Sequence, residues 1–153
     1  LLRYRIHPRQ IGRRYELETE ESSRAIRLSQ LARLGINPAP EEALLHHHLS
    51  RWEFEPSTTF LSATRAWFDK LINANKLCEV YPEDELIMVL GRRWSEVCSS
   101  ATHKGVRTML EFWRIPHLAS AAWSPIHQLK FFVKCLIRKD PHTKVMRMGR
   151  AAS

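Results

Sequence analysis

Glycine is scarce in this chain, with five in 153 residues. No stretch alternates Val, Ile and Thr with polar residues over strand length. Strand-rich folds use glycine at their turns and show that alternation. The two scarcities together exclude a β-rich fold and leave an all-α chain. Long apolar runs are missing as well. The longest candidate, Phe131-Phe132-Val133, is bounded by Lys130 and Lys134, so no transmembrane segment is expected. Cysteine is sparse and odd in number, with Cys78, Cys98 and Cys135 far apart. That excludes a disulfide framework and points to a reducing compartment. Each thiol is expected to pack as a small apolar group on a helix.

Catalytic motifs are absent too. There is no glycine-rich phosphate loop, no HExxH, no CxxC and no GxSxG. Cys98 and His103 form a conceivable nucleophile and base, but they lack a third member to orient them. His46, His47 and His48 are adjacent, and neighbouring helical residues diverge by about 100°. A helix grips a metal through His at i and i+4, so these three are expected to be solvated or packed. The sequence therefore gives no catalytic residue, no metal, no cofactor and no small-molecule substrate. The expectation is a protein that is not an enzyme.

What the chain does have is positive charge, tryptophan and helical periodicity. Net charge is +8 at pH 7. Such a balance suits nucleic acid, anionic lipid or an acidic protein surface, and it is equally a property of mitochondrial-matrix and ribosomal proteins. The first fifteen residues carry Arg3, Arg5, Arg9, Arg13 and Arg14 and no acid. An acid-free, Arg-rich start resembles the end of a mitochondrial import signal. The first residue is Leu, so the expectation is that a leader has been removed or the chain trimmed. The same residues could instead be a mature arm lying on a partner.

Residues 1–21 are expected to form an extended arm, because Pro8 and Gly12 interrupt any helix. Ala25, Leu28, Leu31 and Leu34 then recur every third residue and line one helix face. Ser22 or Ser23 is the expected N-cap, and Gly35 the stop. Asn37-Pro38 and Pro40 delay the next helix, which opens on Glu41-Glu42. Expected helices run about 22–34, 41–53, 58–76, 83–98, 102–114 and from Ser124 to about Lys139. Pro56-Ser57-Thr58-Thr59 is a turn and cap, and Asn73-Asn75 lies near the end of helix three. Asp140-Pro141 ends the last helix, and residues 140–153 are a basic tail.

Helix–turn–helix grammar occurs three times. Superposing Leu28/Leu31 on Phe68/Leu71 and on Met109/Phe112 gives offsets of about 40 residues, as a stacked array of helical hairpins requires. Three unrelated hairpins in an ordinary bundle would satisfy the same pattern. Five tryptophans are many for this length, and Trp at helix spacing is core or an interface anchor. Stacking on nucleic acid needs aromatics interleaved with Lys or Arg on one face. Trp67 beside Arg65, Trp94 beside Arg92 and Arg93, and Trp113 beside Arg114 diverge around their helices instead.

The helix–Gly-Ile-x-Pro–helix pattern of Ala25 to Leu45 resembles the pentatricopeptide-repeat (PPR) motif. The resemblance covers residues 22–139 and is best in the first unit. It implies a short α-solenoid of about three stacked hairpins with basic arms at both ends. RNA-binding members read one base per repeat through an amide or hydroxyl near the start of the first helix. Glu42 and Asp84 stand at the corresponding positions here, and a carboxylate repels a phosphodiester strand. A short PPR-like chain of this size is also similar to the family of extra, non-catalytic subunits attached to the α subunit of F1 in euglenozoan mitochondrial ATP synthase. That likeness implies an accessory protein of the mitochondrial matrix, peripheral to the inner membrane through its complex. RNA binding, alone or in the mitochondrial ribosome, is the alternative. Arg3, Arg5, Arg13 and Arg14 are the expected arm contacts, with Trp52 and Trp123 as further partner anchors.

Overall fold

The computed structural model describes residues 12–138, with side chains from Glu20 onward apart from Ala122. Seven α-helices and one 3-10 turn make up the fold, and no strand occurs among the described residues. The helices are α1 (Gly12–Arg33), α2 (Pro40–Arg51), α3 (Thr58–Cys78), α4 (Glu83–Ser100), α5 (Val106–Trp113), α6 (Pro116–Ala122) and α7 (Pro125–Leu136), with a 3-10 turn at Thr102–Lys104.

Several local signals work as expected. Gly35 takes φ +70° and its N–H donates to Ala32 O, while Ile36 N–H reaches back to Leu31 O. This pair of bonds is a Schellman closure, and its two apolar ends, Leu31 and Ile36, are both buried. Pro40 opens α2, and the Glu42 carboxylate accepts the Ala39 N–H at 2.9 Å. Ser57 caps α3 by accepting the Phe60 N–H at 3.0 Å. Glu83, Asp84 and Glu85 occupy the first turn of α4, where the helix dipole favours them.

Other boundaries differ from expectation. Residues 12–21 are helical rather than extended, so Ser22 and Ser23 lie inside α1 rather than at its start. Gly12 starts that helix instead of breaking it, since its conformational cost in the first turn is small against the turns that follow. The expected apolar stripe of α1 is buried only in its last turn: Leu31 and Leu34 are inside, Ala25 and Leu28 are exposed. The fifth expected helix is split at Gly105, whose φ of +75° separates the 3-10 turn from α5. Pro116, expected to end a helix, begins α6 at its first position, where proline's missing N–H costs nothing.

The core lies along α3 and α4. Leu61, Thr64, Trp67, Phe68, Leu71, Ile72 and Asn75 form the inner stripe of α3. Leu90, Trp94, Val97 and Cys98 do the same for α4, whereas Val89 is exposed. Helix α4 packs on α3 and α5 and most closely on α6. Gly91 permits that approach: a Cβ there would stand 2.7 Å from Leu118 O. Phe112, Trp123 and Phe131 form an aromatic group between α5 and α7, with ring centroids 4.8–5.4 Å apart. No described helix is long and apolar enough to cross a membrane.

Candidate interaction face

Helix α7 is apolar on two opposite sides. Phe131 and Cys135 point into the core and are almost fully buried, with Gln128 beside them. Gln128 holds this side down by donating to Trp123 O at 3.1 Å. Ile126, Leu129, Val133, Leu136 and Ile137 recur at spacings of three and four and line the other side. These five are 48–65 % exposed. Lys130 and Lys134 flank them and are exposed.

Helix α5 repeats the pattern on a smaller scale. Thr108 and Phe112 face inward, while Val106, Leu110 and Trp113 form an exposed outer stripe. The ring of Trp113 lies 5.9 Å from that of the half-buried Phe132 on α7, so the outer stripe of α5 borders α7. Isolated exposed apolar residues are ordinary, but a stripe continued across two adjacent helices is the form an interface takes.

The expected partner anchors do not gather there. Trp52 ends α2 with φ +62°, is 42 % exposed, and lies under the Arg93 guanidinium at 4.9 Å. Trp123 is half-buried and packs on Phe112 and Phe131. Its indole follows α6 directly, and the aromatic group beneath draws it inward. Arg13 and Arg14 fall in the first turn of α1 instead of an arm, and Arg3 and Arg5 lie outside the described residues. The signal that locates the outer face is the doubled periodicity of residues 126–137. The two sets of apolar residues interleave, so α7 reads in sequence as one well-buried helix.

Several polar groups away from this face have structural roles. Cys98 is fully buried, and burial first, then the neighbouring Cys135 and Glu111, raise its thiol well above the usual value. Burial of this kind favours the protonated thiol over the reactive thiolate. Cys135 is pushed up to about 11 by burial. All three cysteines are free. Trp67 donates its indole N–H to His46 Nδ1 at 3.3 Å. Burial, then Arg27 and His47, lower the His46 pKa and favour the neutral, accepting ring. Among the described residues no group of three His, Cys, Asp or Glu is placed to hold a metal.

A cleft of about 810 Å³ runs between the Gly35 turn and α3. Its charged residues are already paired: Lys70 with Glu42 at 2.7 Å, and Arg65 with Glu111 at 3.4 Å. Glu42, at a position where the PPR resemblance implies base reading, accepts from both Lys70 and the Ala39 N–H, and these bonds lower its pKa. Comparison with protein-family models, curated proteins and solved structures returned no match.

Proposed function

We propose that this chain is a non-catalytic interaction protein, an accessory subunit of a multiprotein complex. In this reading it is a short PPR-like stack of helical hairpins whose third unit is irregular. The outer face of α7 is the observation that carries the reading. The side of a helix that no other helix of such a stack covers is normally polar. Here that side carries five large aliphatic residues, and the Trp113–Phe132 contact extends it onto α5. Covering it with a helix or sheet of another protein removes this surface from water. The PPR resemblance and the Arg-rich start support a mitochondrial assembly, and the F1 part of ATP synthase, through its α subunit, is the one to test first.

The net charge of +8 favours a second reading, RNA binding. The engagement of Glu42 with Lys70 weighs against it, because no free amide or hydroxyl stands at that place.

Co-migration on a native gel separates the two. The expected result is that the native protein travels with ATPase activity, and that Leu129→Gln with Val133→Gln releases it. The thermal midpoint of the isolated double variant should fall little, since both side chains face solvent. Migration with ribosomal RNA would move the assignment to the second reading. A native protein found as a lone monomer would end the proposal.

A further inference from the structure

A cleft of about 500 Å³ opens where the start of α3 meets the 3-10 turn, α5 and the end of α7. It is lined by Ser57, Thr58, His103, Lys104, Arg107 and Arg138, so three permanent cations and a histidine converge on it, and no carboxylate of the described residues lines it. Among the described residues Lys104, Arg107 and Arg138 take part in no ion pair, although the rest of the surface is rich in them. The Nδ1 atom of His103 is shielded from solvent and lacks a hydrogen-bond partner. Ser57 sits at the N-cap of the 21-residue helix α3 and its hydroxyl takes the Phe60 N–H, while the Thr58 and Thr59 N–H groups have no helical carbonyl ahead of them to bond.

The backbone is shaped to bring Arg138 in. Arg138 itself has φ +48°, a left-handed conformation that is unfavourable for a non-glycine residue. Gly105, at φ +75°, leaves room for it: a Cβ there would lie 3.3 Å from Arg138 Nε and 3.5 Å from its Cγ. The guanidinium therefore lies across the junction between the 3-10 turn and α5, beside Lys104 and Arg107. Holding like charges together without a counter-charge is unfavourable, and an anion in the cleft reverses that balance.

We infer that this cleft is a binding site for a phosphate group. Arg107 and Arg138 supply forked donors suited to phosphate oxygens. Lys104 adds a point charge, and the start of α3 adds its dipole. The chemistry is common to a free phosphate compound and to a phospholipid headgroup. The inference stands whether or not the outer face of α7 holds a partner.

The test is calorimetric titration of the full chain with inorganic pyrophosphate at about 50 mM salt. Saturable binding at one site is expected. Arg107→Gln with Arg138→Gln should weaken it at least about tenfold, while Arg33→Gln with Arg92→Gln, which removes the same charge elsewhere, should hold it within about threefold. Co-sedimentation with phosphatidylcholine vesicles containing phosphatidic acid distinguishes the sources. Vesicle binding that pyrophosphate displaces, and that the Arg107/Arg138 variant loses, assigns the site to a lipid headgroup. Pyrophosphate binding without vesicle binding assigns it to a free phosphate compound. Absence of saturable pyrophosphate binding, or equal weakening by both double variants, overturns the inference.

Discussion

Asn75 is 3 % exposed and sits inside α3, three residues before its end. Its side-chain amide donates to Tyr81 O at 2.8 Å, and its oxygen accepts the Tyr81 N–H at 2.9 Å. One buried side chain thus satisfies both backbone groups of a loop residue and fixes how α3 turns into α4. Asn75→Ala leaves those groups short of partners, at about 1–3 kcal/mol, and urea unfolding should show that loss. His46 gives a pH dependence. Its folded pKa is lowered by burial, then by Arg27 and His47, while the unfolded imidazole titrates near about 6.5. Below that pH the unfolded chain takes a proton that the folded site resists, so stability falls as pH drops from about 7 towards 5. His46→Gln should flatten that limb of the urea midpoint against pH. Glu20 and Glu42, whose pKa values are lowered, lose their contribution only at more acid pH, once they too are protonated.

At the scale of elements, the helices most legible in sequence were those with a chemical start signal. Ser57 before α3, the three acids of α4, and Ser124-Pro125 before α7 all mark the observed starts. Pro116 misled because proline stops a helix from within and starts one at its first position, and periodicity alone does not say which applies. Gly91 was silent for a related reason. Inside a helix glycine reads as a small propensity cost, and its use as a contact point depends on α6, an element the sequence did not reveal. The interaction face on α7 was hidden by its own success as a pattern, since two apolar stripes on one helix merge into a single buried signal. Gly91→Ala provides the test of the α4–α6 packing. The added methyl would stand 2.7 Å from Leu118 O, a backbone atom with little freedom to yield. The variant should be destabilised by about 1–3 kcal/mol, despite alanine's better helix propensity. A gain in thermal midpoint would show that α6 does not lie where the structure places it.

Across the whole molecule, two kinds of force divide the chain. Helices α3 to α7 share a core whose fully buried members include Trp67, Trp94, Phe112, Ile115 and Leu118. The Trp94 indole adds a buried hydrogen bond to Phe112 O at 3.1 Å. Helices α1 and α2 contribute Leu31, Leu34, Ile36 and Leu49 to the core and otherwise rely on charge. Glu20 is the centre of that network, with Arg27 at 2.8 Å, His47 at 3.4 Å and Arg51 also paired to it. Lys70 and Glu42 then tie α2 to α3. Pairs this exposed contribute little each and weaken as salt rises. The first two helices should therefore open without the rest. Amide exchange from Glu20 to Gln30 is expected to be much faster than in α4 and to quicken between low and high salt, while α4 exchanges only through global unfolding. A single exchange rate shared by both regions, insensitive to salt, would show instead that the aromatic core and the ionic hinge fold as one cooperative unit.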